Sequence, residues 1–165
     1  MNDLLHNLIE ALREELKQYG EMLAVLEQQQ NSVVQRRADD LLQNVACVNS
    51  QVEAIAAVRG ERELHQRNVA RLIGLKDDAG FATIVPGLPA DYRPLVQALV
   101  QENNELLVRI HNRTRQNHLL LSHAVELMQQ FMTAIFPGGS PKTYNQAGRL
   151  PVNPMPQFSL YESVG

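Results

Sequence analysis

Between Tyr92 and Phe136 the chain carries one uninterrupted helical repeat, which ends in an unusually wide apolar face and runs straight into a Pro/Gly-rich tail. At about 100° per residue, Leu120, Ala124, Leu127, Met128, Phe131, Met132, Ala134, Ile135 and Phe136 spread over roughly 200°. Only Ser122, His123, Glu126, Gln129, Gln130 and Thr133 lie opposite. A single neighbouring helix covers about half of such an arc. The remainder calls for cover from elsewhere in this chain or from a partner.

A chain of 165 residues with 44% hydrophobic side chains can fill one core. Aromatics make up 5% and Trp is absent, while Leu, Gln, Glu and Arg abound. That usage suits long helices packed through aliphatic seams, so the fold class expected is all-α, three long helices in an antiparallel coiled-coil-like bundle. The formal charge of -3 gives nucleic-acid or anionic-membrane binding no electrostatic support. Cys47, the single cysteine, excludes an intramolecular disulfide framework and reads as a small buried or half-buried hydrophobe in a reducing compartment. The start lacks a signal-peptide pattern and no apolar run approaches the roughly 18 residues of a membrane span, so a cytoplasmic location is expected.

Leu5, Ile9, Leu12, Leu16, Tyr19, Leu23 and Leu26 recur in steps of four and three. With Asn2 or Asp3 as cap, they predict a first helix over 3–30, and Asn31 to Arg37 breaks the pattern. A second helix over 38–74 opens with Asp39 and Asp40 at its positive end. Its seam is apolar through Ala38, Leu41, Val45, Val48, Val52 and Ile55, then turns to Arg59, Arg62 and Gln66 before Val69 and Ile73. The middle of the bundle is therefore either wet or ion-paired. Residues 76–91 read as a loop, with Gly80, Pro86, Gly87 and Pro89 as turn formers and Phe81, Ile84 and Leu88 plugging the bundle end. Pro94 fits only a first turn, which places the third helix at 92–136 with Asp91 as its cap. Its seam runs Leu95, Leu99, Asn103, Leu106, Ile110, Arg113, Asn117, Leu120, Ala124, Leu127 and Phe131. Nine of the twenty-nine residues in 137–165 are Pro or Gly, the composition of an extended or disordered tail.

Antiparallel neighbours joined by short loops would make residue numbers sum to about 68 across the first turn and about 166 across the second. Arg62 then faces Asn103 and Glu105, and Phe131, Met132, Ile135 and Phe136 project past everything else. No phosphate loop, nucleophile elbow or paired-carboxylate arrangement appears, so neither an enzyme nor a cofactor is expected. His111, His118 and His123 lack the i, i+3 or i, i+4 spacing of a helical metal site. Arg59, Arg62, Arg67 and Arg71, interrupted by Glu61 and Glu63, read as a solvated face with i, i+4 partners. The end of the last helix reads instead as a binding surface, because nothing inside the chain covers it and Met repacks around varied apolar ligands.

Four segments carry a resemblance to a known family. They are the first helix ending in Leu26-Glu27-Gln28-Gln29-Gln30, the second long helix, the run Gln116-Asn117-His118-Leu119-Leu120-Leu121, and Thr143-Tyr144-Asn145-Gln146-Ala147-Gly148-Arg149. Together they resemble the FlgN family of flagellar export chaperones, which escort hook-filament junction proteins to the export apparatus. The resemblance implies that Leu120, Ala124, Leu127, Met128, Phe131, Met132, Ile135 and Phe136 hold the client's terminal helix. It implies further that Tyr144, with Asn145, Gly148 and Arg149, docks on the cytoplasmic domain of the export gate, the protein meeting the membrane only through that apparatus. The competing expectation is a coiled-coil adaptor that forms a homo-oligomer through the same apolar end.

Overall fold

A computed structural model describes residues 2–135, which form four helices and, among the described residues, no strand. α1 spans Asn2–Val34, α2 Ala38–Leu72, α3 Phe81–Gly87 and α4 Arg93–Ile135. α1 thus runs four residues past its expected end at residue 30, and only 35–37 turn the chain. Arg36 takes the left-handed conformation there (φ 56°), and Arg37 N–H closes onto Ser32 C=O at 3.0 Å. α2 ends in a Schellman turn: Gly74 has φ 77°, Leu75 N–H bonds Ala70 C=O at 2.9 Å and Gly74 N–H bonds Arg71 C=O at 3.1 Å. A side chain at Gly74 would be strained, because L-residues avoid that φ.

The segment expected to be a plain loop contains α3. Its Phe81, Ile84 and Val85, followed by Leu88, are buried and plug the end of the bundle against Leu5, Leu8, Ile9, Leu12, Val69, Val96 and Val100. Pro86, which has no N–H to give to the carbonyl four residues back, lies one residue before the end of this seven-residue helix.

α1 packs along both α2 and α4, whose backbones scarcely approach one another. This overturns the expected hairpin of the second and third helices. The reason lies in α1 itself, which buries two stripes: Leu5, Leu12, Tyr19 and Leu26 on one, Leu8, Glu15, Met22 and Gln29 on the next. Both stripes of α1 are covered, and its remaining side, with Glu10, Arg13, Glu14 and Lys17, faces solvent. α2, covered along one side only, exposes Leu42, Val45, Leu64 and Leu72. Val45 is therefore not the seam residue it was expected to be, and Cys47 is exposed rather than buried.

Two apolar clusters make the core, one at the α3 end and one around Tyr19, Met22, Leu23, Leu26, Ile55, Leu107 and Ile110. Between them lies a polar layer. Arg62 Nε donates to Glu15 Oε2 at 3.1 Å, with side chains 4% and 0% exposed. Tyr19 Oη donates to the other Glu15 oxygen at 2.7 Å, Arg62 Nη1 donates to Gln66 Oε1 at 2.7 Å, and Gln66 Nε2 donates to Ala79 C=O at 2.8 Å. The middle of the bundle is ion-paired, but the partner of Arg62 is Glu15 and not Glu105. Glu105 is exposed and accepts a hydrogen bond from Gln101 at 3.0 Å. Elsewhere on the arginine run, half-buried Arg59 meets exposed Glu63 at 3.6 Å and Arg71 pairs with Asp77.

On the other flank of α1, Asn103 Nδ2 donates to Leu12 C=O at 3.1 Å and Asn117 Nδ2 donates to Leu26 C=O at 2.7 Å, both 91 residues apart in sequence. The two loop rules together imply a separation of about 98 for these parallel helices. The observed register is thus shorter by one heptad, about two helical turns. A second polar layer surrounds Asn117, which also donates to Gln29 Oε1 at 2.9 Å, while Asn44 Nδ2 donates to Ser32 Oγ at 2.8 Å.

Removing one partner of a buried ion pair strands the other charge, at a cost of about 3–5 kcal/mol. Arg62→Ala should lower the urea midpoint by the corresponding amount, and adding Glu15→Gln should recover part of it; an unchanged midpoint for Arg62→Ala would deny the pair any role in stability. At the turn after α2, a hydrogen bond from Arg71, aided by the charges of Arg71 and Arg67, holds the Asp77 carboxyl below its ordinary value. A lowered value means that the contribution is complete at neutral pH and fades as pH falls through the carboxylate range. Asp77→Asn should therefore melt slightly earlier than wild type at pH 7, with the difference closing as the pH falls through the lowered Asp77 value.

Candidate functional site

The α4 side chains that face α1 are Val96, Val100, Asn103, Leu107, Ile110 and Asn117, all buried. The line of Val96, Asn103, Ile110 and Asn117 continues in sevens through Ala124 and Phe131, and that of Val100 and Leu107 continues past half-buried Thr114 and Leu121 through Met128 and Ile135. The cover does not continue. α1 stops at Val34, which the 91-residue offset places level with Val125. From there to Ile135 the helix advances about 16 Å with no neighbour among the described elements.

Every described residue after Ser122 is accordingly exposed. Leu127, Met128 and Phe131 are 65%, 62% and 60% exposed, and Met132, Ile135 and Val125 are large exposed hydrophobics as well. Ala124 is exposed and Leu120 half-buried. Glu126 is the only formally charged residue between Asn117 and Ile135, and it lies on the face opposite Met128 and Ile135. Its neighbour His123 approaches it at 3.5 Å. A contiguous apolar strip with a polar back is the signature of a recognition helix.

The family model for FlgN protein matches residues 1–151. The chain belongs to the FlgN family. FlgN proteins serve flagellar export as chaperones. No curated protein and no solved structure matches the chain.

Leu127, Met128, Phe131, Met132 and Ile135 are brought onto one projecting helix end, with Ala124 exposed just short of it and Leu120 half-buried alongside α1. Phe136 and the expected docking residues Tyr144, Asn145, Gly148 and Arg149 lie outside the described residues, as does the whole of 137–165. Among the described residues no three His, Cys, Asp or Glu side chains are gathered to hold a metal ion. No described helix is long and apolar enough to cross a membrane.

Sequence reasoning missed two features of this FlgN chain. One is Glu15, which falls between Leu8 and Met22 in steps of seven, a signal that α1 carries a second buried stripe. The other is Val34, 67% exposed at the last position of α1, hidden from a reading that ended the helix at 30.

Because Phe131 and Ile135 touch no core, replacing both with Ser should leave helicity unchanged and shift stability by no more than about 0.5 kcal/mol. Circular dichroism and thermal melting check this; a large loss would reassign these residues to the core.

Proposed function

We propose that this FlgN-family protein is a cytoplasmic type III export chaperone that binds the helical terminus of hook-filament junction proteins, keeps them soluble and delivers them to the export gate. The observation that carries the reading is the exposure of Leu127, Met128, Phe131 and Ile135 at the end of a helix whose first half buries Val96, Leu99, Val100, Asn103, Leu107 and Ile110. A client's amphipathic helix laid on that strip hides its own apolar face and the chaperone's together, which removes the surface through which the client would aggregate. Binding by apolar burial is reversible and sequence-tolerant. The thioethers of Met128 and Met132 adapt to the shape of the client's side chains. No bond is made or broken, and the protein is not an enzyme.

Tyr144 is the proposed contact to the gate. It stands eight residues beyond Phe136 in a Pro/Gly-rich segment, its ring offers apolar area and its hydroxyl a hydrogen bond, and Asn145, Gly148 and Arg149 close to it in sequence are the proposed companions in docking. Separate sites for client and gate allow the gate to be engaged while the client is held.

Burying a Phe or Ile side chain contributes about 1.5–3 kcal/mol, so Phe131→Ser or Ile135→Ser should each weaken junction-protein binding at least about tenfold in a titration. Unchanged affinity would remove α4 as the site, and a constitutive dimer indifferent to junction proteins would favour the self-associating adaptor. Tyr144→Ala should leave folding and client affinity intact while abolishing binding to the isolated gate domain. Wild-type gate binding by that variant, or loss of the client as well, would refute the assignment.

A further inference from the structure

We infer that the helix bound by α4 is seated as a continuation of α1, in line with it and on the same seam, with one end against Val34. This rests on the proposed client-binding role of α4 and specifies the pose. Its basis is the continuity of an interface already present in the fold. Taking Asn117 as the direction that faces α1, Ala124, Met128, Phe131 and Ile135 all fall within about 40° of it at 100° per residue. The exposed strip is therefore the α1-binding seam itself, carried about 16 Å beyond the point where α1 turns away.

That continuity defines the occupant. It is an amphipathic helix of about one and a half heptads, with apolar residues at alternating steps of three and four, as α1 has in Tyr19, Met22 and Leu26. It differs from α1 in one respect. Inside the bundle, Asn103 and Asn117 tie α4 to the α1 backbone and set one register, whereas the projecting seam holds only Ala, Met, Phe and Ile. Nothing on α4 alone selects where along the strip the client stops. A helix of so few turns against one partner helix is also marginal in water. Contact with the end of α1 supplies both the missing area and the stop. Val34, exposed at that end, is the side chain in place to make it.

The test uses the full chain and a hook-filament junction protein. One Ala inserted between Ser122 and His123 turns the whole strip by about 100° about the α4 axis without altering its composition or the buried part of the bundle. The expected result is a fall in affinity of at least tenfold with an unchanged melting curve. A photo-cross-linking residue placed in the uninserted chain at Val34, at Phe131 or at exposed Leu64 on α2 provides an independent reading. Adducts to the junction protein's terminal helix are expected from Val34 at one end of that helix and from Phe131 about 9 Å further along it, and none from Leu64. Adducts from Phe131 but not Val34, with affinity indifferent to the insertion, would overturn the in-line pose and leave the client site on α4 standing. Adducts from neither position, together with full affinity for the Phe131→Ser variant, would remove the client site itself. Adducts from Phe131 to a second copy or to residues 137–165 when the junction protein is present would replace the proposed occupant and overturn the inference.

Discussion

The buried Glu15–Arg62 pair sets the terms for the rest of the bundle. Two ionised side chains are tolerated in its centre because each is also held by neutral groups, Glu15 by Tyr19 and Arg62 by Gln66, which itself reaches Ala79 ahead of α3. A slip of α2 along α1 by one turn would separate the charges and leave both desolvated, a penalty no aliphatic rearrangement could offset. The pair therefore selects one register from the several that a repeating Leu seam would accept. It also joins three segments distant in sequence, and so ties the position of the plugging helix to the pairing of the long ones.

On the opposite flank the same task falls to amides. Asn103 and Asn117 use carbonyl oxygens of α1 that already serve its own helix, drawing on their second lone pair. Each sits in an apolar seam where Asn lowers stability relative to Leu but admits fewer registers. The register they set is one heptad short of what loop lengths suggest. Had the separation been greater by seven, α1 would have covered α4 two turns further and less of the apolar end would project. The length of the exposed strip is in this sense a product of the polar contacts deep in the bundle.

This arrangement reconciles two demands on an export chaperone of the FlgN family. The protein must be stable enough to remain folded while presenting apolar area that would destabilise a smaller domain. The apolar clusters around α1 provide the stability, and the projecting end takes almost no part in it, so that occupancy of the strip has little leverage on the fold. The charge-poor flank of α4 lowers the desolvation cost of covering it, while Glu126, Gln129, Gln130 and Thr133 keep its other side in water.

The all-α class, the three long helices, the plugging role of Phe81, Ile84 and Leu88, and the excess apolar arc at the end of the last helix were legible in the sequence, because each depends on local periodicity that burial of a helix face imposes directly. What covers a seam is not local. Arg62 stands on α2 with the same spacing whether Glu15 or Glu105 answers it, and α1 shows its second stripe only once both neighbours are known to lie against it. The helicity of residues 81–87, the exposure of Cys47 and Val45, and the heptad by which α4 is set against α1 were decided by packing, where desolvation of a few polar side chains distinguishes arrangements that aliphatic contacts leave nearly equal in energy.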